Sequence, residues 1–396
     1  MAEVVVVGGG FAGMWAALSA ERELELAGAK ADVTLVSADP YLVLRPRLYE
    51  AEPERMRVDL RPTLDAAGVG FRTGMATGID STARKLILRD GSASYDRLVL
   101  ATGSSLRRPA IEGAEWLFDI DSYEGAIRLE RHLRGLGGAT APAVRSVVVI
   151  GGGFTGIELA TELRPRLISL WGDSAGSSAR IVLVEAAETI GPALGPGPRS
   201  AITDALAEAR VEVRLGTRLV SAGPDTVLLS DGTRIESATV VITTGMRASE
   251  LTAMLEGAER DDLGRLHVDR TLQVKGVPGV YAAGDVARAL VDDEHLALMS
   301  CQHALSMGRA AGRSAVRDLL GLTPVPYEAP DYVTCLDLGG WGAVFTRGWD
   351  REVKMSGAEA KALKRQINTE RIYPPKGGRK EVLAAVVPPP RPGQAR

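Results

Sequence analysis

The stretch "VVVVGGGFAG" (Val4 to Gly13) returns as "VVVIGGGFTG" (Val147 to Gly156), 143 positions further on. Each copy is a run of four β-branched residues feeding glycines at G-x-G-x-x-G spacing. An unbroken apolar run without polar alternation is what a parallel strand buried on both faces requires. After Gly8, Gly10 and Gly13 the chain is free of proline and rich in Ala, Leu and Glu, which predicts a helix from Phe11 to Ala27 stopped by Gly28. "DVTLVS" (Asp32 to Ser37) is a second strand. The second copy predicts a strand Val147 to Ile150, glycines at 151, 153 and 156, a helix to about Ser169, then strand "RIVLVE" to Glu185. Between that helix and strand, "WGDSAGSSA" reads as an inserted loop.

Glycines at this spacing allow a tight turn, close approach of backbone to a pyrophosphate, and close packing of helix on strand. Unpaired N–H groups at the helix start then face the phosphates. One such motif is weak evidence; two, each flanked by strand and helix, imply two dinucleotides exchanging electrons. Glu185 ends the second unit's second strand, where a carboxylate accepts hydrogen bonds from ribose hydroxyls and repels a 2′-phosphate, favouring NADH over NADPH. The matching position in the first unit is Ser37, with Asp39 as a substitute.

A chain of 396 residues has room for two or three domains. The net charge of −3 and an aromatic content of 5% argue against a nucleic-acid partner. Two cysteines, Cys301 and Cys335, are too few for a disulfide framework and point to a reducing cytosol. No stretch has the length of a membrane span, and Glu3 sits where a secretory leader would be basic. The four histidines lack metal-ligand spacing, so no metal is expected.

Three further segments resemble those of the pyridine-nucleotide-dependent flavoproteins: "YDRLVLATGSSLRRP" (Tyr95 to Pro109), "VVITTGMRAS" (Val240 to Ser249) and "VDRTLQVKGVPGVYAAGDVA" (Val268 to Ala287). With both glycine motifs the resemblance covers residues 1 to about 315. Within that superfamily the chain is most similar to the type II NADH dehydrogenases, through "DPYLVLRPRLYEA" (Asp39 to Ala51), "GGGFTGIELATEL" (Gly151 to Leu163) and "CQHALSMG" (Cys301 to Gly308). The resemblance implies that Gly8, Gly10, Phe11, Ala12, Gly13, Ser37, Arg45, Ala101, Thr102, Gly103, Gly284 and Asp285 hold FAD. It implies that Gly151, Gly153, Phe154, Thr155, Gly156, Glu185, Thr244 and Gly245 hold NADH. Glu158 would couple the two cofactors, and Gln302, with Tyr49 nearby, would face the electron acceptor.

The chain departs from the family's A-Q-x-A-x-Q stretch: Cys301 replaces the leading alanine and Ser306 the second glutamine. Family members end in an amphipathic region that docks on the bilayer, whereas Leu363 and Ile367 make too thin a stripe for firm insertion. From Arg347 to Arg396 there are 12 Lys or Arg against 5 Asp or Glu, or +7, which reads as a solvated face or a weak peripheral attachment to anionic lipid. The cysteines form no C-x-x-C pair; a role for both beside the flavin, as in sulfide:quinone oxidoreductases, is a minor reading.

The expected architecture is α/β: two Rossmann-like, three-layer ββα domains, the NADH domain (109–267) inserted in a discontinuous FAD domain (1–108 and 268–330). Each carries a β-meander, "FRTGMATGIDSTARKLILRDGSASYDRLVL" and Val211 to Ile242. Residues 331–396 form a small C-terminal segment, disordered from Val387. The expected function is hydride transfer from NADH to FAD, with electrons passed to a quinone-type acceptor. Alternatives are a ferredoxin, metabolite or oxygen reductase, and a redox-sensing flavoprotein of the apoptosis-inducing-factor type. A homodimer stays open.

Overall fold

The computed structural model describes residues 1–137 and 140–387. The four-valine run forms the strand Glu3–Val7 at the centre of a five-stranded, all-parallel sheet. Asp32–Ser37 and then Gly70–Thr73 lie on one side of it, Arg97–Leu100 and Val280–Ala282 on the other. The second valine run, Ser146–Ile150, is the centre of another five-stranded parallel sheet. Arg180–Val184 and Val211–Arg214 flank it on one side, Thr239–Ile242 and Leu117–Asp119 on the other. Both central strands are buried on both faces, as their lack of alternation requires.

The duplication extends to the meanders. Ala76–Asp80, Lys85–Leu88 and Gly91–Ser94 form one antiparallel three-stranded sheet; Leu219–Ala222, Thr226–Leu229 and Arg234–Glu236 form its counterpart. The two segments that follow the ATG and TTG turns, Ser104–Leu106 and Met246–Ala248, pair antiparallel with each other. Ser105 sits opposite Arg247, its equivalent two residues beyond the turn glycine, so the repeats meet about a local two-fold relation.

The predicted first helix spans Phe11–Ala27, with Gly28 left-handed at its C-cap. The helix Cys301–Leu319 packs along it, backbone against backbone. A Cβ at Gly308 would stand 2.2 Å from the Ala12 carbonyl oxygen, and one at Gly312 2.0 Å from that of Ala16. These two glycines, one helical turn apart, set how closely the acceptor-side helix approaches the first glycine motif.

Two expectations are corrected. "WGDSAGSSA" is not an open loop: Asp173–Ser178 is a short helix against Phe154–Trp171, and Gly176 permits it, because a Cβ there would lie 2.3 Å from Ile168 Cα. The basic C-terminal segment is a solvated face only in part: Arg347, Lys354, Arg365, Arg371, Lys376, Arg379 and Lys380 are exposed, whereas Lys364 is buried. The segment builds the antiparallel sheet Val333–Asp337, Ala343–Arg347 and Glu352–Ser356, followed by the helix Gly357–Gln366. Three of its cations pair with acids elsewhere in the chain: Lys364 with Glu158, Lys361 with Glu162 and Asp337, and Arg379 with Glu21 and Glu25. The final helix, Arg379–Ala384, packs on Phe11–Ala27 and on Arg61–Ala67. Of the tail expected to be disordered, residues 388–396 lie outside the described residues. No described helix is long and apolar enough to cross a membrane.

Candidate functional site

The two glycine turns are the same object built twice. Gly8 and Gly151 have φ of 112° and 110°. Each donates its N–H to the end of the next strand, Val36 O and Val184 O, both at 2.8 Å. Gly10 and Gly153 cap their helices in the same extended conformation, and neither helix has a side-chain cap. The first-turn N–H groups therefore stay available to an anion. Gly13 and Gly156 touch the turn itself: a Cβ on either would lie 1.8 Å from the carbonyl oxygen of Gly8 or Gly151. At Gly10 and Gly153 a Cβ would meet nothing within 4 Å, so both open onto free space where a phosphate can approach the backbone.

The repeats differ at the end of their second strands. In the first, Ser37 borders Gly9, and a Cβ on Gly9 would lie 2.7 Å from its hydroxyl. In the second, Glu185 borders Gly152 and grips the turn. Its Oε2 accepts from Gly152 N at 2.7 Å and its Oε1 from Ala187 N at 2.8 Å. The carboxylate is thereby fixed in place beside the turn.

One cleft of about 400 Å³ joins the two units. Gly9, Gly10, Phe11 and Ala12 line it from the first turn, and Ser37 and Asp39 from the strand end. Ala101, Gly103, Gly284 and Asp285 line its floor. Thr155, Ile242 and Thr243 reach it from the second unit. Its polar centre is a set of four side chains. Ser104 Oγ donates to Asp285 Oδ2 at 2.5 Å, and Arg45 Nη1 stands 3.6 Å from the same oxygen. Arg45 Nη2 donates to Asp121 Oδ1 at 2.6 Å, a contact that ties the first unit to the second. Burial pushes the Asp285 carboxyl up, with Ser104 and Arg45 pulling it back. Thr102 Oγ1 is buried without a partner. An open cradle and a largely buried carboxylate lining the same cleft fit a dinucleotide whose ribityl hydroxyls and pyrophosphate need such partners; Thr102 itself does not line the cleft.

Thr244 borders the second turn, and neither it nor Gly245 lines the cleft; Thr243 Oγ1 donates to the carbonyls of Ile150 and Gly151, each at 3.0 Å.

Three expected residues sit elsewhere than the sequence suggested. Gln302 does not line the cleft; its Nε2 donates to Asp331 O at 2.9 Å. Helical periodicity is the reason, because Cys301 and Ala304 share the face that meets Ala12 and Gly284, and Gln302 is rotated off it. Tyr49 is buried, and its hydroxyl donates to Asp337 Oδ2 at 3.0 Å. Glu158 is sealed away from the cleft lining, with Oε1 accepting from Lys364 Nζ at 2.8 Å and from Asp337 N at 3.0 Å. Burial pushes its carboxyl up and Lys364 pulls it down, while Glu158 holds the ammonium of Lys364 charged against burial.

Sequence reasoning missed Asp121, Asp337 and Lys364. Only Lys364 left a trace: Lys361 and Lys364 are spaced for one helical face, a pattern that surface helices also show. Cys301 lines the cleft; Cys335 lies on the C-terminal sheet, where burial pushes its thiol up to about 11.

Residues 2–308 match the model of the pyridine nucleotide-disulphide oxidoreductase family. A "NADH dehydrogenase-like protein" of Mycobacterium tuberculosis is 48% identical over 396 residues, covering 98% of each chain. A type II NADH:quinone oxidoreductase of Staphylococcus haemolyticus is 26% identical over 393 residues, covering 94% of this chain and 95% of that one. Among solved structures, NDH2 from Plasmodium falciparum in complex with NADH superposes with a TM-score of 0.79 at 12% identity, over 94% and 95% of the two chains. The chain therefore belongs to the pyridine nucleotide-disulphide oxidoreductase family, and its cofactors are FAD and NADH.

Proposed function

We propose that this protein is an NADH dehydrogenase that passes electrons to a quinone-type acceptor. FAD would occupy the first turn and the cleft, within a unit made of residues 1–108 and 268–330; NADH would occupy the second turn, within residues 109–267. When bound, FAD supplies the redox chemistry by taking hydride from NADH and releasing electrons to the acceptor. The protein's task is then to hold and orient. The observation that carries this reading is the shared cleft: Thr155 of the second turn lines the same space as Gly10 and Asp285. Two nucleotide sites that open into one cavity of this size bring their reactive ends together.

The acceptor would enter beside Met299, Ser300 and Cys301, the cleft residues at the start of the helix Cys301–Leu319. The named type II NADH:quinone relative and the apolar character of Met299, Cys301 and Ala304 support a quinone over a charged metabolite.

The test is an acceptor screen on flavin-replete protein with NADH and, in turn, a short-chain quinone, dioxygen, ferricyanide and a ferredoxin. Quinone should turn over about tenfold faster than dioxygen or more, and no faster turnover with quinone would defeat the reading. A separate expectation concerns nucleotide choice. Glu185→Ala removes the fixed carboxylate and should narrow the kcat/KM preference for NADH over NADPH by about tenfold, roughly 1.4 kcal/mol. Unchanged discrimination would take Glu185 out of the ribose contact.

A further inference from the structure

Behind the start of the helix Cys301–Leu319 lies a second cavity, of about 350 Å³, bordered by His303, Asp331, Tyr332, Arg347 and Trp349. Its rings are already partnered. His295 stacks on Trp349 and Trp349 on Tyr332, each with centroids 4.3 Å apart, and Tyr332 stacks on His303 at 5.5 Å. Arg351 covers Tyr332 at 4.6 Å. Little aromatic surface is left for a planar ligand. Arg347 and Asp331, which pair across this cavity, are each about half exposed, so the space communicates with solvent.

A hydrogen-bonded pair of side chains stands between this cavity and the flavin cleft. His303 is buried, and its Nδ1 stands 2.9 Å from Ser300 Oγ. His303 borders the solvent-connected cavity; Ser300 borders the cleft. Ser300 also caps the helix, its Oγ accepting from His303 N at 3.4 Å, which holds the hydroxyl in place. Along a single helical turn the chain has thus put two proton-carrying groups end to end between two spaces.

We propose that His303 and Ser300 form a proton path from the solvent-connected cavity into the flavin cleft. The inference rests on the quinone reading above, because NADH + H⁺ + quinone → NAD⁺ + quinol draws one proton from solvent for each pair of electrons. In the path, Nε2 of His303 takes a proton from a hydronium in the outer cavity. Nδ1 gives its proton to Ser300 Oγ, and Oγ gives its own to the acceptor in the cleft. Each atom gains one proton and loses one, except that the ring finishes in its other neutral tautomer and reverses before the next turnover. Burial pushes His303 down to about 4, so the ring is neutral near pH 7 and has a nitrogen free to receive.

The experiment has two arms. In the first, NADH-reduced holoenzyme is mixed with a short-chain quinone, and recovery of the oxidised-flavin absorbance is followed in H₂O and D₂O. Replacing His303 by Phe keeps a ring against Tyr332 but carries no proton. It should slow recovery about tenfold or more, with imidazole in the buffer restoring the rate in proportion to its concentration. Ferricyanide takes electrons without protons and should reoxidise this variant within about twofold of wild type. Ser300→Ala should slow recovery likewise, and Ser300→Thr should regain most of what Ser300→Ala loses, which keeps the test open should the His303 variant fold poorly.

The second arm needs no turnover: ¹⁵N-histidine NMR of the oxidised protein, in which Ser300→Ala should shift the ring nitrogens of one histidine, the one lost in His303→Phe. Quinone reoxidation of His303→Phe within about twofold of wild type, with an unchanged solvent isotope effect, would overturn the path. So would ring signals of His303 that ignore Ser300→Ala. A wild type that quinone does not reoxidise would instead remove the quinone reading. Reoxidation by dioxygen, which also consumes a proton in forming peroxide, and the NMR arm would then judge the path alone.

Discussion

Replacing Lys364 with Met is expected to destabilise the fold by about 3–5 kcal/mol, the cost of stripping one partner from a buried ion pair. Lys364 and Glu158 are both nearly inaccessible, with side-chain exposures of 7% and 6%. The methionine fills the stem's volume but leaves the Glu158 carboxylate with only the Asp337 N–H for company. The double variant Glu158→Gln, Lys364→Met should recover most of the loss, because the uncompensated charge, rather than the missing attraction, dominates the single-variant cost. The pH dependence has a definite sign. Without Lys364 the folded carboxyl rises further above its ordinary value of 4.5. The folded state then binds more protons than the unfolded one from 4.5 upward, so the variant loses stability as pH rises through that window and regains it in acid. Urea melts of the single and double variants at neutral pH and near pH 5 measure both effects. Equal losses in the two variants would show that packing around the C-terminal segment, and not the charge, sets the cost.

What the sequence made legible is what local rules govern. The two valine runs, the glycine spacings and the helix Phe11–Ala27 are each specified by one continuous short stretch of chain, and each is found where its pattern places it. Glu185 could be located because the end of the second strand brings it beside the glycine turn, where its carboxylate accepts from Gly152 N. The misread features depend on partners far along the chain. Gln302 belongs to a motif, but which helix face meets the cleft is decided by Gly308 and Gly312 against the helix Phe11–Ala27. Lys361 and Lys364 look like solvated charges until Glu158 and Glu162, some 200 residues away, are folded beneath them. Of the +7 segment, Lys361, Lys364 and Arg379 find counterions far along the chain, while Arg365, Arg371, Lys376 and Lys380 are exposed, as a charge run leads one to expect. His303 and Ser300 show the remaining case: in the sequence His303 is one of four histidines without metal-ligand spacing, and the pair gains meaning only because a cavity lies on each side of it.

Gly13→Val and Gly156→Val are expected to separate the two nucleotide sites. The backbone at these positions is the same, and in both a Cβ would stand 1.8 Å from a carbonyl oxygen of its own turn. That atom is backbone, so no side chain can swing aside; the turn must open and the helix N-terminus must move away from the phosphates. At Gly13 this should lower retained flavin to about a tenth of wild type or less, since each tenfold in affinity is only about 1.4 kcal/mol. The purified protein should be nearly colourless. At Gly156 the first site is untouched, and the protein should keep its flavin and still bleach with dithionite. Bleaching by NADH should fall about a hundredfold, the effect of displacing a reactant by roughly an ångström. Flavin content by absorbance after denaturation, and stopped-flow bleaching with each reductant, give the two readouts. A Gly156→Val protein that loses its flavin while Gly13→Val keeps it would exchange the assignments. The shared cleft would still stand, but Glu185 would then face FAD and Ser37 NADH, and the preference for NADH would need another source.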